Sequence, residues 1–222
     1  QGVVDAIQSC VPEIKDAWQI KSYDLDTILI AIRIATYGET MEINFNVPKV
    51  KETVTHSVNL PAILDQLKAT KIDPDITLDD GLKITVRPLT YKDMTSTSLQ
   101  TFQQQKMYSS VQNSDIGDEE KVKRFDESFK ALTELNSKVL LKNISKITTP
   151  EGVEVSDPAQ IKEFVDNANA TLITELQDEL AVIRVQGSVK PLTLKATEDQ
   201  IKRGAPVTYQ VPVTFDTSNF FV

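Results

Sequence analysis

Apolar residues first fall into register over residues 22–38. Leu25, Ile28, Leu29, Ile32 and Ala35 follow helical spacing, and Ile30 and Ile34 cover much of the other side, which predicts a helix buried on most of its surface. Asp24 and Asp26 sit where a helix start favours anions, and Gly38 stands at its stop. The period then changes to two. Met41, Ile43 and Phe45 alternate with Glu42, Asn44 and Asn46, and a second alternating run over 53–60 follows the short turn Val47-Pro48-Lys49-Val50, so residues 40–60 read as a hairpin. Pro61 opens a short helix carrying Ile63, Leu64 and Leu67. The turn Asp79-Asp80-Gly81 leads into an alternating strand over 82–86, and Pro88 ends it.

The middle of the chain is helical and more polar. Thr90 with Asp93 resembles a capping box, and Tyr91, Met94, Leu99 and Phe102 make a weak stripe through a stretch rich in Thr, Ser and Gln. Asp118, Glu119 and Glu120 load the start of a second helix, whose narrow stripe of Val122, Phe125, Phe129 and Leu132 needs a partner surface. Short alternating runs around Pro150-Glu151-Gly152 predict another hairpin. Asp157 as N-cap with Pro158 behind it starts a helix that residues 167–169 interrupt. Leu172, Ile173, Leu176, Leu180 and Ile183 then form an amphipathic stripe, closed by Gly187 and Pro191, and residues 207–215 alternate as a C-terminal strand. The sum is an α+β chain, helix-rich, with a small antiparallel β region built from the 40–60 hairpin and the last strand. Residues 1–90 carry the core helix and hairpin, 91–190 are mainly helical, and 191–222 return a strand to the β region.

Charge and composition narrow the function classes. The chain has 222 residues and a formal net charge of -8, which disfavours a phosphate-neutralising surface and makes nucleic acid an unlikely principal partner. No run approaches the roughly 20 apolar residues of a membrane span. Cys10 is the single cysteine, so no internal disulfide or multi-cysteine metal site is possible, and the chain reads as made in a reducing compartment. Residue 1 is Gln, with no signal pattern behind it, so a segment upstream is expected.

Few residues offer chemistry. His56, the one histidine, falls in an alternating strand and is read as solvent-facing, and Cys10 as a small core or surface thiol with no basic partner nearby in sequence. The carboxylates of 79–80 and 118–120 serve a turn and a helix start, and the glycines are isolated rather than gathered into a phosphate cradle. Arg33 is the one charge in the apolar helix. It either pairs with Asp26, two turns earlier, or contacts a partner. Phe215, Phe220 and Phe221 place three aromatic rings near the chain end, beside Asn219, where they either pack on the core or plug an interface. No catalytic residue, metal or cofactor is expected.

These strings resemble a known family. Ser9-Cys10-Val11-Pro12, Lys15-Asp16-Ala17-Trp18, Tyr23-Asp24-Leu25-Asp26 and Leu29-Ile30-Ala31-Ile32-Arg33-Ile34-Ala35-Thr36-Tyr37-Gly38 resemble the baseplate hub subunit and hub assembly proteins of T-even-like contractile-tailed bacteriophages. Arg87-Pro88-Leu89-Thr90-Tyr91 and the stretch from Thr214 to Phe221 extend the likeness over nearly the whole chain. Many relatives carry a Cys-Pro-x-Cys turn where this chain has Val47-Pro48-Lys49-Val50, and a further cysteine pair near the C-terminal strand. With Val47 and Val50 in place of the thiols no zinc site can form there, and apolar contact between hairpin and last strand is the expected substitute, keeping a zinc-ribbon-like shape without its metal.

The resemblance implies a non-enzymatic protein that helps assemble the baseplate hub, as chaperone or structural subunit. Its partners would be other hub or wedge proteins, in the bacterial host cytoplasm during assembly and in the virion tail baseplate. Arg33, Phe215, Asn219, Phe220 and Phe221 are the candidate contact residues, and the sequence leaves the oligomeric state open. The alternative from a different class is a small acidic hydrolase using paired carboxylates.

Overall fold

The computed structural model describes residues 2–112 and 116–215. In chain order its helices are α1 (Gly2–Cys10), α2 (Ser22–Tyr37), α3 (Leu60–Ala69), α4 (Tyr91–Gln112), α5 (Asp118–Asn143), α6 (Pro158–Asn167), α7 (Ala170–Gln186) and α8 (Glu198–Lys202). The strands are β1 (Thr40–Asn46), β2 (Thr53–Asn59), β3 (Asp75–Thr77), β4 (Lys83–Val86), β5 (Ile144–Thr148), β6 (Glu154–Val155), β7 (Leu192–Lys195) and β8 (Thr208–Val211). They form antiparallel sheets in the orders β1-β2, β3-β4-β5-β6 and β7-β8, so the class is α+β, helix-rich with small sheets. The chain divides into two compact units, one made from the described parts of 1–17, 23–72 and 184–222, the other from 18–22 and 73–183.

In the first unit α1 buries Val4 and Ile7, and α2 buries Leu29, Ile30 and Ile32. The all-round burial expected of α2 is not what forms: Ala31 and Ala35 are exposed. Gly38 ends the helix at φ +96°, a conformation costly for other residues, with its N–H donating to the Ile34 carbonyl at 3.1 Å. The β1-β2 hairpin runs in register from Thr40 opposite Asn59 to Asn46 opposite Thr53. Its turn has Pro48 followed by Lys49 at φ 63°, and the Val50 N–H donates to the Val47 carbonyl at 3.2 Å, the geometry of a turn that needs a left-handed third residue. Asn59 then caps α3, accepting from the Ala62 N–H at 2.8 Å.

The strand alternation corrects the reading of His56. Val54 and His56 are half-buried and Val58 buried, while Thr53, Thr55 and Ser57 are exposed, so His56 lies on the packed side opposite Ile43. Gly187 marks a close approach in the same unit. A Cβ there would stand 2.9 Å from Ile72 Cδ1 and 3.0 Å from Tyr23 Cδ1, inside contact distance.

The last part of this unit contains two elements that the sequence reading passes over, β7 and α8. Thr197 and Gln200 form a reciprocal capping box at the start of α8. β8 spans Thr208–Val211, shorter than the 207–215 expected, with Pro212 at its end. Hairpin and β8 belong to different sheets and meet through side chains: Val47, Val50, Ala205, Tyr209 and Val211 make one buried cluster, with Ile43, Phe45 and Leu194 packed against it.

The second unit is built on the four-stranded meander. Ile84 of β4 pairs opposite Ile147 of β5, and both are buried, as are Val86 and Ile144. Thr90 and Asp93 cap α4 reciprocally: the Asp93 N–H donates to Thr90 Oγ1 at 3.1 Å, and Thr90 Oγ1 donates to Asp93 Oδ2 at 2.8 Å. Lys142 Nζ of α5 reaches the same carboxylate at 2.5 Å. Asp157 caps α6 through the Ala159 and Gln160 N–H groups, and residues 168–169 separate α6 from α7, which buries Leu176 and Ile183. Trp18 and Tyr91 stack at 5.4 Å between centroids.

Candidate functional site

α4 and α5 form an antiparallel helical pair whose levels are set by Tyr108 against Phe125, 4.7 Å between ring centroids. The positions facing each other recur at spacings of four and three: Thr97, Thr101, Gln104, Tyr108 and Val111 on α4, and Lys121, Phe125, Ser128, Leu132 and Leu135 on α5. This seam splits both stripes read from the sequence. Phe125 and Leu132 turn inward, but Phe129 is 72% exposed and Val122 59%. On α4, Phe102 is 62% exposed and Leu99 56%, because the residues turned toward α5 are Thr, Gln and Tyr instead. The two helices therefore leave several bulky apolar side chains in solvent while polar ones such as Thr101, Gln104 and Ser128 share the seam with Val111, Phe125, Leu132 and Leu135.

A second apolar surface lies in the first unit. Cys10, Val11 and Ile14 face Ile28, Ala31, Ile32, Ala35 and Thr36 across an open groove of about 530 Å³. Cys10 is exposed and forms no disulfide.

The ribbon at β1-β2 and β7-β8 has polar fastenings beside its apolar cluster. Gln200 is buried and uses both ends of its amide. Oε1 accepts from the Thr197 N–H at 3.0 Å, and Nε2 donates to Glu52 Oε1 at 2.9 Å. Arg203 donates to the other Glu52 oxygen and pairs with Asp199 at 2.8 Å. The hydrogen bond from Gln200, aided by Arg203, holds the Glu52 carboxyl below the usual carboxylate range. Val47 and Val50, where the family resemblance places thiols in relatives, offer no ligating atom and sit in the apolar cluster. Among the described residues no group of three or more His, Cys, Asp and Glu side chains is placed to hold a metal ion.

Arg33, read as either pairing with Asp26 or meeting a partner, has an aromatic neighbour on its own helix. Its guanidinium lies over the Tyr37 ring, 4.2 Å from the centroid. Asp26 has its pKa raised by burial, opposite to what a neighbouring guanidinium would impose. A raised folded-state value favours folding only while the group is protonated, so that contribution is present below the unfolded value of about 3.9 and gone once the pH has risen through the folded value. Asp26→Asn is therefore expected to raise the melting temperature at pH 7, with the gain shrinking toward pH 4. A gain that stays constant across that range, or a loss at pH 7, would contradict the assignment.

Elsewhere the perturbed carboxylates are structural. Lys83, with help from Thr85, holds Asp75 low, and Lys142 together with Thr90 holds Asp93 low. Both stabilise the fold above the ordinary carboxylate range and lose that effect as pH falls through their lowered values. Phe215 is half-buried, and Asn219, Phe220 and Phe221 lie outside the described residues. Among the described residues no helix is long and apolar enough to cross a membrane. The exposed apolar helix faces and the open apolar groove are the features of the described residues that do not serve the chain's own packing.

Residues 1–190 match a family model described as T4 bacteriophage base plate protein. No curated protein and no solved structure matches the chain.

Proposed function

This chain belongs to the T4 bacteriophage base plate protein family, and on that premise we propose that it acts without catalysis in building the baseplate hub, through contacts with other hub or wedge proteins. The observation that carries this reading is the outward placement of Leu99, Phe102, Val122 and Phe129 on the α4-α5 pair. Large apolar side chains at that exposure are costly in isolation and useful where a neighbour covers them. A carboxylate hydrolase would want two carboxyls with separated acidities facing a common cleft. Glu52, Asp75 and Asp93 instead have hydrogen-bonding neighbours that keep them ionised.

Mass spectrometry of purified virions, together with that of hub intermediates from infected cells, tests the reading. Presence in both is expected of a structural subunit, and presence in the intermediates alone of an assembly chaperone. Absence from both would overturn the hub assignment.

A further inference from the structure

The groove between the end of α1 and α2 is lined by eight side chains, none of them charged. Ala31 and Ala35 stand one turn apart on its α2 wall, small and exposed, so the groove has room for bulk that the helix itself does not supply. An uncharged recess of this kind suits a short apolar segment.

The register of the last sheet brings such a segment toward it. β8 runs antiparallel to β7, so Val211 leaves the sheet opposite Leu192, where β7 enters. Five residues before Leu192 stands Gly187, against Tyr23 in the first turn of α2. Past Val211 the alternation continues: Val213 is buried and Phe215 half-buried, while Pro212 and Thr214 are exposed. The chain thus keeps one side packed on its own unit up to the last described residue. Four polar residues, 216–219, and then Phe220, Phe221 and Val222 follow in the sequence.

We infer that the segment Phe220-Phe221-Val222 seats in the α1-α2 groove of its own chain, with residues 216–219 as the strap that carries it round α2. Ile28, Ala31, Ile32 and Ala35 fall roughly 80–180° round the helix from Tyr23, so the strap must pass from one side of α2 to the other. Its reach is sufficient. One strand spacing and at most ~17 Å of extended chain separate Val211 from Gly187, and α2 is ~10–12 Å across. The ten residues from Val211 to Phe221 extend to ~33 Å.

Tethering selects this occupant. A segment of the same chain within reach meets the groove at an effective concentration of about millimolar, which a separate protein does not match. Two rings and a valine carry no charged side chain into an uncharged recess, and the polar strap before them stays in water. The period of two carried on from Val211, Val213 and Phe215 turns Phe221 to the packed side. With the groove filled from within, the α4-α5 pair remains as the apolar surface offered to neighbours.

The native Cys10 thiol lines the groove and reports on it. In the full chain its labelling by a bulky maleimide dye is expected to be at least ~10-fold slower than in the double variant Phe220→Ser, Phe221→Ser, as for a site that reacts only when its cover opens. Helical circular dichroism is expected to be the same in both. Under mild oxidation by diamide, Phe221→Cys is expected to form a disulfide with Cys10 within one chain, at a rate independent of protein concentration. Ser218→Cys, in the strap, is expected to stay unlinked. Equal labelling of Cys10 with and without the two rings overturns the inference, as does equal linking from 218 and 221. Linkage between chains alone overturns it as well and gives the groove to a second copy.

Discussion

Ile30→Asp is expected to leave almost no folded chain in the soluble fraction. The Ile30 side chain is fully buried in the middle of α2. An unpaired carboxylate there costs several kcal/mol, against a total stability of about 5–15 kcal/mol. The position aggravates the cost, because Asp26 lies one turn earlier on the same side of the helix and is already partly desolvated. Ile30→Val, which removes one methyl group, is expected to cost only about 0.5–1.5 kcal/mol and to express normally. Soluble yield and a thermal melt of the two variants check the assignment. An Ile30→Asp chain melting within a few degrees of the parent would mean that α2 is not central to its unit.

Tyr209→Ala has the second large effect expected, and it should be local. The Tyr209 ring packs in the cluster with Val47, Val50 and Val211, and 6.0 Å separates its centroid from that of Phe45. Removing it takes away the largest side chain joining β1-β2 to β7-β8, at a cost of about 3–5 kcal/mol by analogy with other buried aromatic truncations. The β7-β8 sheet has only four paired positions, so little else resists its opening. Amide hydrogen exchange is expected to rise by a factor of 100 or more over 192–211, while α4 to α7 keep their protection. Uniform loss of protection throughout the chain would show instead that the ribbon is a keystone of the whole fold.

What the sequence disclosed depended on whether the signal was local. The capping box of Thr90 and Asp93, the Asp157 cap, the break at 167–169 and the β1-β2 hairpin are formed by residues within a few positions of one another, and each was readable. The capping box of Thr197 and Gln200 carried the same signal, and reading it would have found α8 and separated β7 from β8. α1 was harder, since only Val4 and Ile7 are buried in nine residues, too few to establish a period.

The α4-α5 faces were misread for a tertiary reason. Ser128 occupies the most enclosed position of the α5 seam and Phe129 points outward, so hydropathy ranks the two residues in the reverse of their burial. That reversal appears only when helix spacing is combined with the exposure of each side chain in the fold. The apolar joint between hairpin and C-terminal strand followed from the valines of the Val47-Pro48-Lys49-Val50 turn, read against the cysteines of relatives.

That joint has a thermal character of its own. Contacts between apolar side chains draw on the reorganisation of water, and that driving force fades on cooling. The cluster around Val47 and Tyr209 is the principal apolar link between two small sheets, so chilling rather than acid is the stress to which the ribbon is most sensitive. Sulfate and sucrose, which are excluded from protein surfaces, would tighten it. The chain held near freezing is then expected to loosen at 192–211 before the helices respond, and to recover on warming.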